Sequence, residues 1–204
     1  MEELTGSALR ERMGAYRDEA SWAVWETDAS GELSASNAFP QTDIEHVHGR
    51  AMIVSLNPAS RKNPEGTGDH PNWANFHSPH PRHNDGFLAA ALIGTQYWGS
   101  YMTDLHPEVW ESKSGLVKPA KEAIAQSVDG LIEQARLLGS VRAIICVGRR
   151  SHTSISAHAG RIHASLGPTS VIGIPHYSGA AAAVHRGNAG TYREAVHIAL
   201  GLRS

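Results

Sequence analysis

Four short, almost uninterrupted apolar runs constrain this chain more than any other feature: AMIVSL at 51–56, YMTDL at 101–105, VRAIICV at 141–147 and SVIGI at 170–174. A strand with one wet face alternates apolar and polar residues, whereas a strand buried on both faces reads as continuous hydrophobe, so these runs predict a mostly parallel sheet. Helical spacing fills the intervals. Ile124, Val128, Leu131, Ile132, Ala135 and Leu138 form one stripe, opened after Pro119 and closed at Gly139. Residues 151–166 predict a second helix stopped by Gly167-Pro168, and the capping-box pair Thr191 and Glu194 predicts a third running to about Leu202. Leu9, Met13, Tyr16 and Ala20 add an outer N-terminal helix. The alternation predicts an α/β fold, a three-layer α/β/α sandwich around a mostly parallel four-stranded sheet. The 204 residues suit one domain, with 1–50 as a helical extension and 51–204 as the core.

Composition narrows the chemistry. The single Cys146 excludes a disulfide framework, a thiolate-rich zinc site and an iron–sulfur cluster, each of which needs several cysteines. No apolar run approaches the roughly 20 residues that span a bilayer, and the first residues lack a signal peptide's apolar stretch, so a cytoplasmic monomer off the membrane is expected. The net charge of −2 conceals an asymmetry: residues 1–50 carry 4 basic and 10 acidic groups, whereas residues 141–204 carry 7 arginines against the one acid Glu194. Arginine outnumbers lysine 14 to 4, a bias that suits bidentate contact with phosphate, although a merely solvated basic face reads the same way.

In a parallel sheet ligands bind beyond the carboxyl ends of the strands. Those ends carry Asn57-Pro58-Ala59-Ser60, Thr103-Asp104, and Pro175-His176-Tyr177-Ser178-Gly179. A Gly/Pro/His-rich stretch, 61–85, follows the first strand, and a loop of that length inside a compact domain is usually functional.

Taken in this order, the strand ends resemble the uracil-DNA glycosylase superfamily, in particular its mismatch-specific thymine/uracil branch. The resemblance spans about residues 50–190. It rests on Ser55-Leu56-Asn57-Pro58, Gly66-Thr67-Gly68, Phe76 ahead of His80-Pro81-Arg82-His83-Asn84, Thr103-Asp104, and His176-Tyr177-Ser178 with Arg186-Gly187. Three departures stand out: Tyr177 replaces a proline, residues 179–184 form an alanine-rich loop in place of a bulky intercalating one, and Asp104 stands where asparagine often reads the base.

The resemblance implies a DNA glycosylase that needs no cofactor and takes DNA as its partner. Asn57 would position the attacking water, and His176 would donate a hydrogen bond to the oxygen of the departing base. Phe76 would stack the flipped base, with Trp73 as the competing stacker, while Asn84 and Asp104 would face its Watson–Crick edge. Ser60, Ser178, Arg186 and backbone N–H groups would hold flanking phosphates. A combined lyase needs an amine nucleophile, and the only lysine near a motif is Lys62, so hydrolysis alone is expected. Asp104 can only accept hydrogen bonds, which disfavours uracil O4 and favours the amino group of a cytosine derivative. A bulky 5-modified cytosine of viral DNA is therefore an expected substrate beside uracil. Simpler readings stand beside these: Asn57 capping the turn, Phe76 anchoring the loop, Asp104 orienting His106. Two rival functions are a catalytically silent protein binding flipped or single-stranded nucleic acid, and a metal hydrolase using His46, His48, His77, His80 or His83, whose scarce acidic partners argue for no metal.

Overall fold

The computed structural model describes residues 4–28, 30–34, 38–40, 45–58, 72–78, 84–111 and 114–202. Among the described residues five strands form one sheet in the order β1-β3-β2-β4-β5: β1 Ser21–Trp22, β2 His48–Ser55, β3 Ser100–Asp104, β4 Ala143–Val147 and β5 Ser170–Ile174. The four expected strands all form and pair in parallel. The sheet has one strand more than the four expected. Trp22 pairs antiparallel with Tyr101, so β1 adds an edge of two residues, too short to leave a periodic signal.

Helices cover both faces. On one face Met52, Val54, Ile144 and Cys146 pack against Leu9 of α1 (Gly6–Arg12), Val128, Leu131 and Ala135 of α3 (Lys121–Leu138), Ile155 of α4 (Arg149–Ser156) and Ile162 of α5 (Ala159–Leu166). On the other face Ala51, Ile53, Ile145, Val147 and Ile174 meet Leu88 and Leu92 of α2 (Asp85–Leu92) and Tyr192 and Val196 of α7 (Ala189–Leu200). A four-residue turn of helix, α6 (Ala182–His185), precedes α7. Burying such apolar faces stabilises the sandwich by roughly 25 cal/mol per Å² removed from water.

Three helix boundaries differ from the sequence pattern. The expected helix at 151–166 is two helices, because His158 leaves helical geometry; Ile155 and Ile162 are both buried, so the apolar spacing runs on across the break. α7 begins a turn before the expected capping box: the Asn188 side chain caps it by accepting the Thr191 N–H at 3.0 Å, which leaves Thr191 inside the helix. The N-terminal helix ends at Arg12, and a 3₁₀ turn at Gly14–Tyr16 follows. Among the described residues no helix is long and apolar enough to cross a membrane.

The helix that follows β2, α2, covers one face of the sheet, and the helix that follows β4, α4, covers the other. This reversal makes the crevice between the carboxyl ends of β2 and β4 the natural ligand position.

Candidate active site

His176 follows β5 and leans over the end of β4. Gly148 makes room for it: this residue holds φ +87, and a Cβ built on it would come within 3.2 Å of the imidazole Cδ2. The Ser178 backbone N–H donates to His176 Nδ1 at 3.0 Å. Burial, with His185 nearby, pushes the imidazole pKa down from its ordinary 6.5 to about 4. His176 is therefore neutral at pH 7, and with Nδ1 occupied as an acceptor its proton resides on Nε2.

His185, which the sequence reading missed, holds this loop in shape. Its ring is buried, accepts the Gly187 N–H at Nδ1 (3.1 Å) and donates from Nε2 to the Ser178 carbonyl (2.9 Å). Its one sequence signal is adjacency to Arg186-Gly187. Ser178 thus uses both backbone groups to position two histidines, beyond the phosphate contact expected of it. Arg186 is exposed, at φ +51 on the end of α6.

Asn57 sits half-buried at the end of β2. Its Nδ2 donates to the carbonyls of Val109 (3.0 Å), Glu111 (2.7 Å) and Pro58 (2.9 Å), pinning the loop after β3 on either side of Trp110. With the amide nitrogen committed to carbonyls, Oδ1 is left as the acceptor, the atom that can hold a water O–H.

Asp104 is buried at the end of β3, where Asn75 Nδ2 donates to its Oδ2 at 2.8 Å. Asn75 also donates to the Glu19 carbonyl (2.9 Å) and accepts the Phe76 N–H (3.1 Å), so its amide has one orientation. It presents a donor to Asp104, as an acceptor-only carboxylate requires. His106 turns elsewhere, meeting Ser127 Oγ at 2.8 Å. Asn84 donates to the Tyr177 carbonyl at 3.0 Å and so ties the start of α2 to the segment carrying His176.

Phe76 lies in the apolar cluster with Met102, Leu88 and Tyr177 and is 3% exposed, so the face assigned to base stacking is covered. Trp73 is buried on the opposite face of the sheet. Both aromatics hold positive φ, +67 and +65, a backbone strain of the order of 1 kcal/mol or more that the surrounding contacts must offset. Ser60, Lys62, Gly66-Thr67-Gly68 and His80–His83 lie outside the described residues.

Two further residues carry little sequence signal. Ser55 is 4% exposed at the end of β2, and its hydroxyl has no hydrogen-bond partner. Trp110 is 46% exposed beside a shallow pocket lined also by Asp18, Glu19, Pro58, Asn75 and Pro107. Asp18 and Glu19 make this rim acidic, and burial, then Glu108 and Asp18, raise the Glu19 pKa. The opposite rim is basic, with exposed Arg149 at the start of α4 and Arg186 after α6.

Two histidines of the metal reading, His48 and His77, bond backbone groups. His48 accepts the Arg50 N–H and meets the Trp98 carbonyl through Nε2, and His77 meets the Trp22 carbonyl at 3.1 Å beside Trp25 and Phe39. Among the described residues no group of three or more His, Cys, Asp or Glu could hold a metal ion. Burial pushes the Cys146 thiol up to about 12, which removes it as a nucleophile at neutral pH. No protein-family model matches the chain, and no curated protein matches it significantly.

Proposed function

We propose that this chain is a monofunctional DNA glycosylase, acting in the cytoplasm as a monomer, that hydrolyses the N-glycosidic bond of a flipped uracil or modified pyrimidine and leaves an abasic site. The observation that carries the reading is the Ser178 N–H donated to His176 Nδ1, which leaves Nε2–H as the donor of a neutral ring at the strand ends. As the glycosidic bond breaks, the sugar becomes oxocarbenium-like and the base takes up negative charge at O2. A preorganised Nε2–H in a site of low dielectric stabilises that oxygen more than it stabilises the ground state. Asn57 Oδ1 orients the water; so electrophilic a carbon needs positioning more than deprotonation. No nucleophilic side chain is required.

Asp104 sets the base preference. Its carboxylate, held by Asn75, repels uracil O4 and accepts from a cytosine amino group. Ordinary cytosine must be spared, so a cytosine reader needs a further mark such as a bulky 5-substituent, and excision of that mark from viral DNA is a defence activity. The covered face of Phe76 and the alanine-rich loop favour a second reading, a silent protein that binds flipped bases without cleaving them. Oligonucleotides carrying uracil, G·T-mismatched thymine, 5-hydroxymethylcytosine or its glycosylated form, treated with protein and then hot alkali, decide between the readings. Cleavage at the cytosine derivatives is expected, with Asp104→Asn moving preference toward uracil by about 10- to 100-fold. Excision of uracil alone overturns the cytosine preference, and tight binding to abasic-analogue DNA without turnover on any strand supports the silent reading. Loss of activity on chelation supports metal hydrolysis.

The basic rim should carry the phosphate contacts. Arg186→Ala should weaken DNA binding and reduce the slope of log affinity against log salt by about 1. Unchanged affinity and slope, measured by fluorescence anisotropy, remove Arg186 from the footprint.

A further inference from the structure

At the end of β2 the hydroxyl of Ser55 is a buried polar group that the mechanism above does not use. It is 4% exposed and without a hydrogen-bond partner, although a buried hydroxyl ordinarily finds one. The Ser55 carbonyl is occupied, accepting the Leu105 N–H at 2.9 Å, whereas the hydroxyl is left over. Alternation along β2 puts Ser55 on the same face as Ala51 and Ile53, the face that packs with Phe76 and Tyr177. Its register partner on β3 is Asp104.

The order of groups across the sheet gives that hydroxyl a role. Asp104 ends β3 and Ser55 ends β2, while the His176 ring lies against Gly148 at the end of β4. From β3 to β4 the edge therefore offers an acceptor, a hydroxyl and the Nε2–H donor. A cytosine-type base presents N4 amino donor, N3 acceptor and O2 acceptor in the same order along one edge. We infer that Ser55 is a base-reading residue that donates its hydroxyl proton to ring N3 of a flipped cytosine-type base, between Asp104 at N4 and His176 at O2. The inference rests on the glycosylase site proposed above, but it concerns recognition and is read by binding. The hydroxyl then stands unpartnered in the free protein because its partner is the ligand.

The test uses single-stranded oligonucleotides containing one uncleavable 2′-fluoroarabino nucleotide, its base either 5-hydroxymethylcytosine, the 3-deaza counterpart lacking the N3 acceptor, or uracil. The wild-type protein should bind the 5-hydroxymethylcytosine strand about 5- to 10-fold more tightly than the 3-deaza strand, and Ser55→Ala should bind the two alike. The Tm of Ser55→Ala should equal or exceed that of the wild type, because no intramolecular hydrogen bond is lost. Wild-type indifference to N3, an N3 preference that survives in Ser55→Ala, tightest wild-type binding to the uracil strand, or a lowered Tm overturns the inference. Ser55→Cys, a poorer donor of similar volume, provides a second binding comparison, with loss of the N3 preference expected. A wild-type protein that shows the N3 preference yet releases no base from the cleavable 5-hydroxymethylcytosine strand leaves the role of Ser55 standing and overturns the glycosylase reading instead.

Discussion

His176→Ala should slow base release by about 100-fold or more, the loss expected when one preorganised donor is removed from a developing oxyanion. Single-turnover kinetics on the best-cleaved oligonucleotide measure it. The fold should survive, since the side chain accepts one backbone N–H and packs against a glycine. The pH profile tests the same point independently. Base release requires the neutral ring, so the His176-dependent part of the rate should hold level down through pH 6 and fall as pH approaches about 4, where the folded-state imidazole takes up its proton. The stability linkage has the same direction. The folded pKa lies below the ordinary 6.5, so the unfolded chain binds more protons between the two values. The contribution is complete above about pH 6.5 and is lost as pH falls toward 4. A wild-type release rate in His176→Ala removes the oxyanion role.

Asn57→Ala should lower base release by a similar factor, about 100-fold, but it should also destabilise the protein, because two loop carbonyls lose their donor. Position at a strand end suggests a residue whose loss the fold would hardly notice; the contacts of Nδ2 with Val109 and Glu111 say otherwise. Leaving partly buried carbonyls unpaired costs about 1–3 kcal/mol. For a domain of this size that corresponds to a Tm lower by roughly 3–10 °C. Pro107→Gly separates the anchor from the water-holding oxygen, since it loosens the same loop without touching Asn57 Oδ1. Asn57→Ala should lose far more activity than Pro107→Gly at equal loss of Tm. Equal losses in the two variants reduce Asn57 to a loop anchor.

Sequence alone determined the layers. Strands buried on both faces can contain little but apolar residues, so β2, β3, β4 and β5 were legible within a few residues, and the α3 stripe with its Gly139 stop was legible for the same reason. Short or irregular elements were not: a two-residue edge strand has no period, and the break at His158 interrupts a stripe whose spacing continues across it. For the site, the strand-end rule located Asn57, Asp104 and His176 on one rim, because a residue that follows a buried strand has to emerge there. What each atom does there was decided by tertiary contacts between residues far apart in the chain. The donor of Asn57 went to carbonyls more than fifty positions away, Asp104 met Asn75, and His176 acquired its tautomer from Ser178 within a loop closed by His185. Burial, which sets the protonation of His176 and leaves Ser55 without a partner, depends on every layer at once and has no local signature in the sequence.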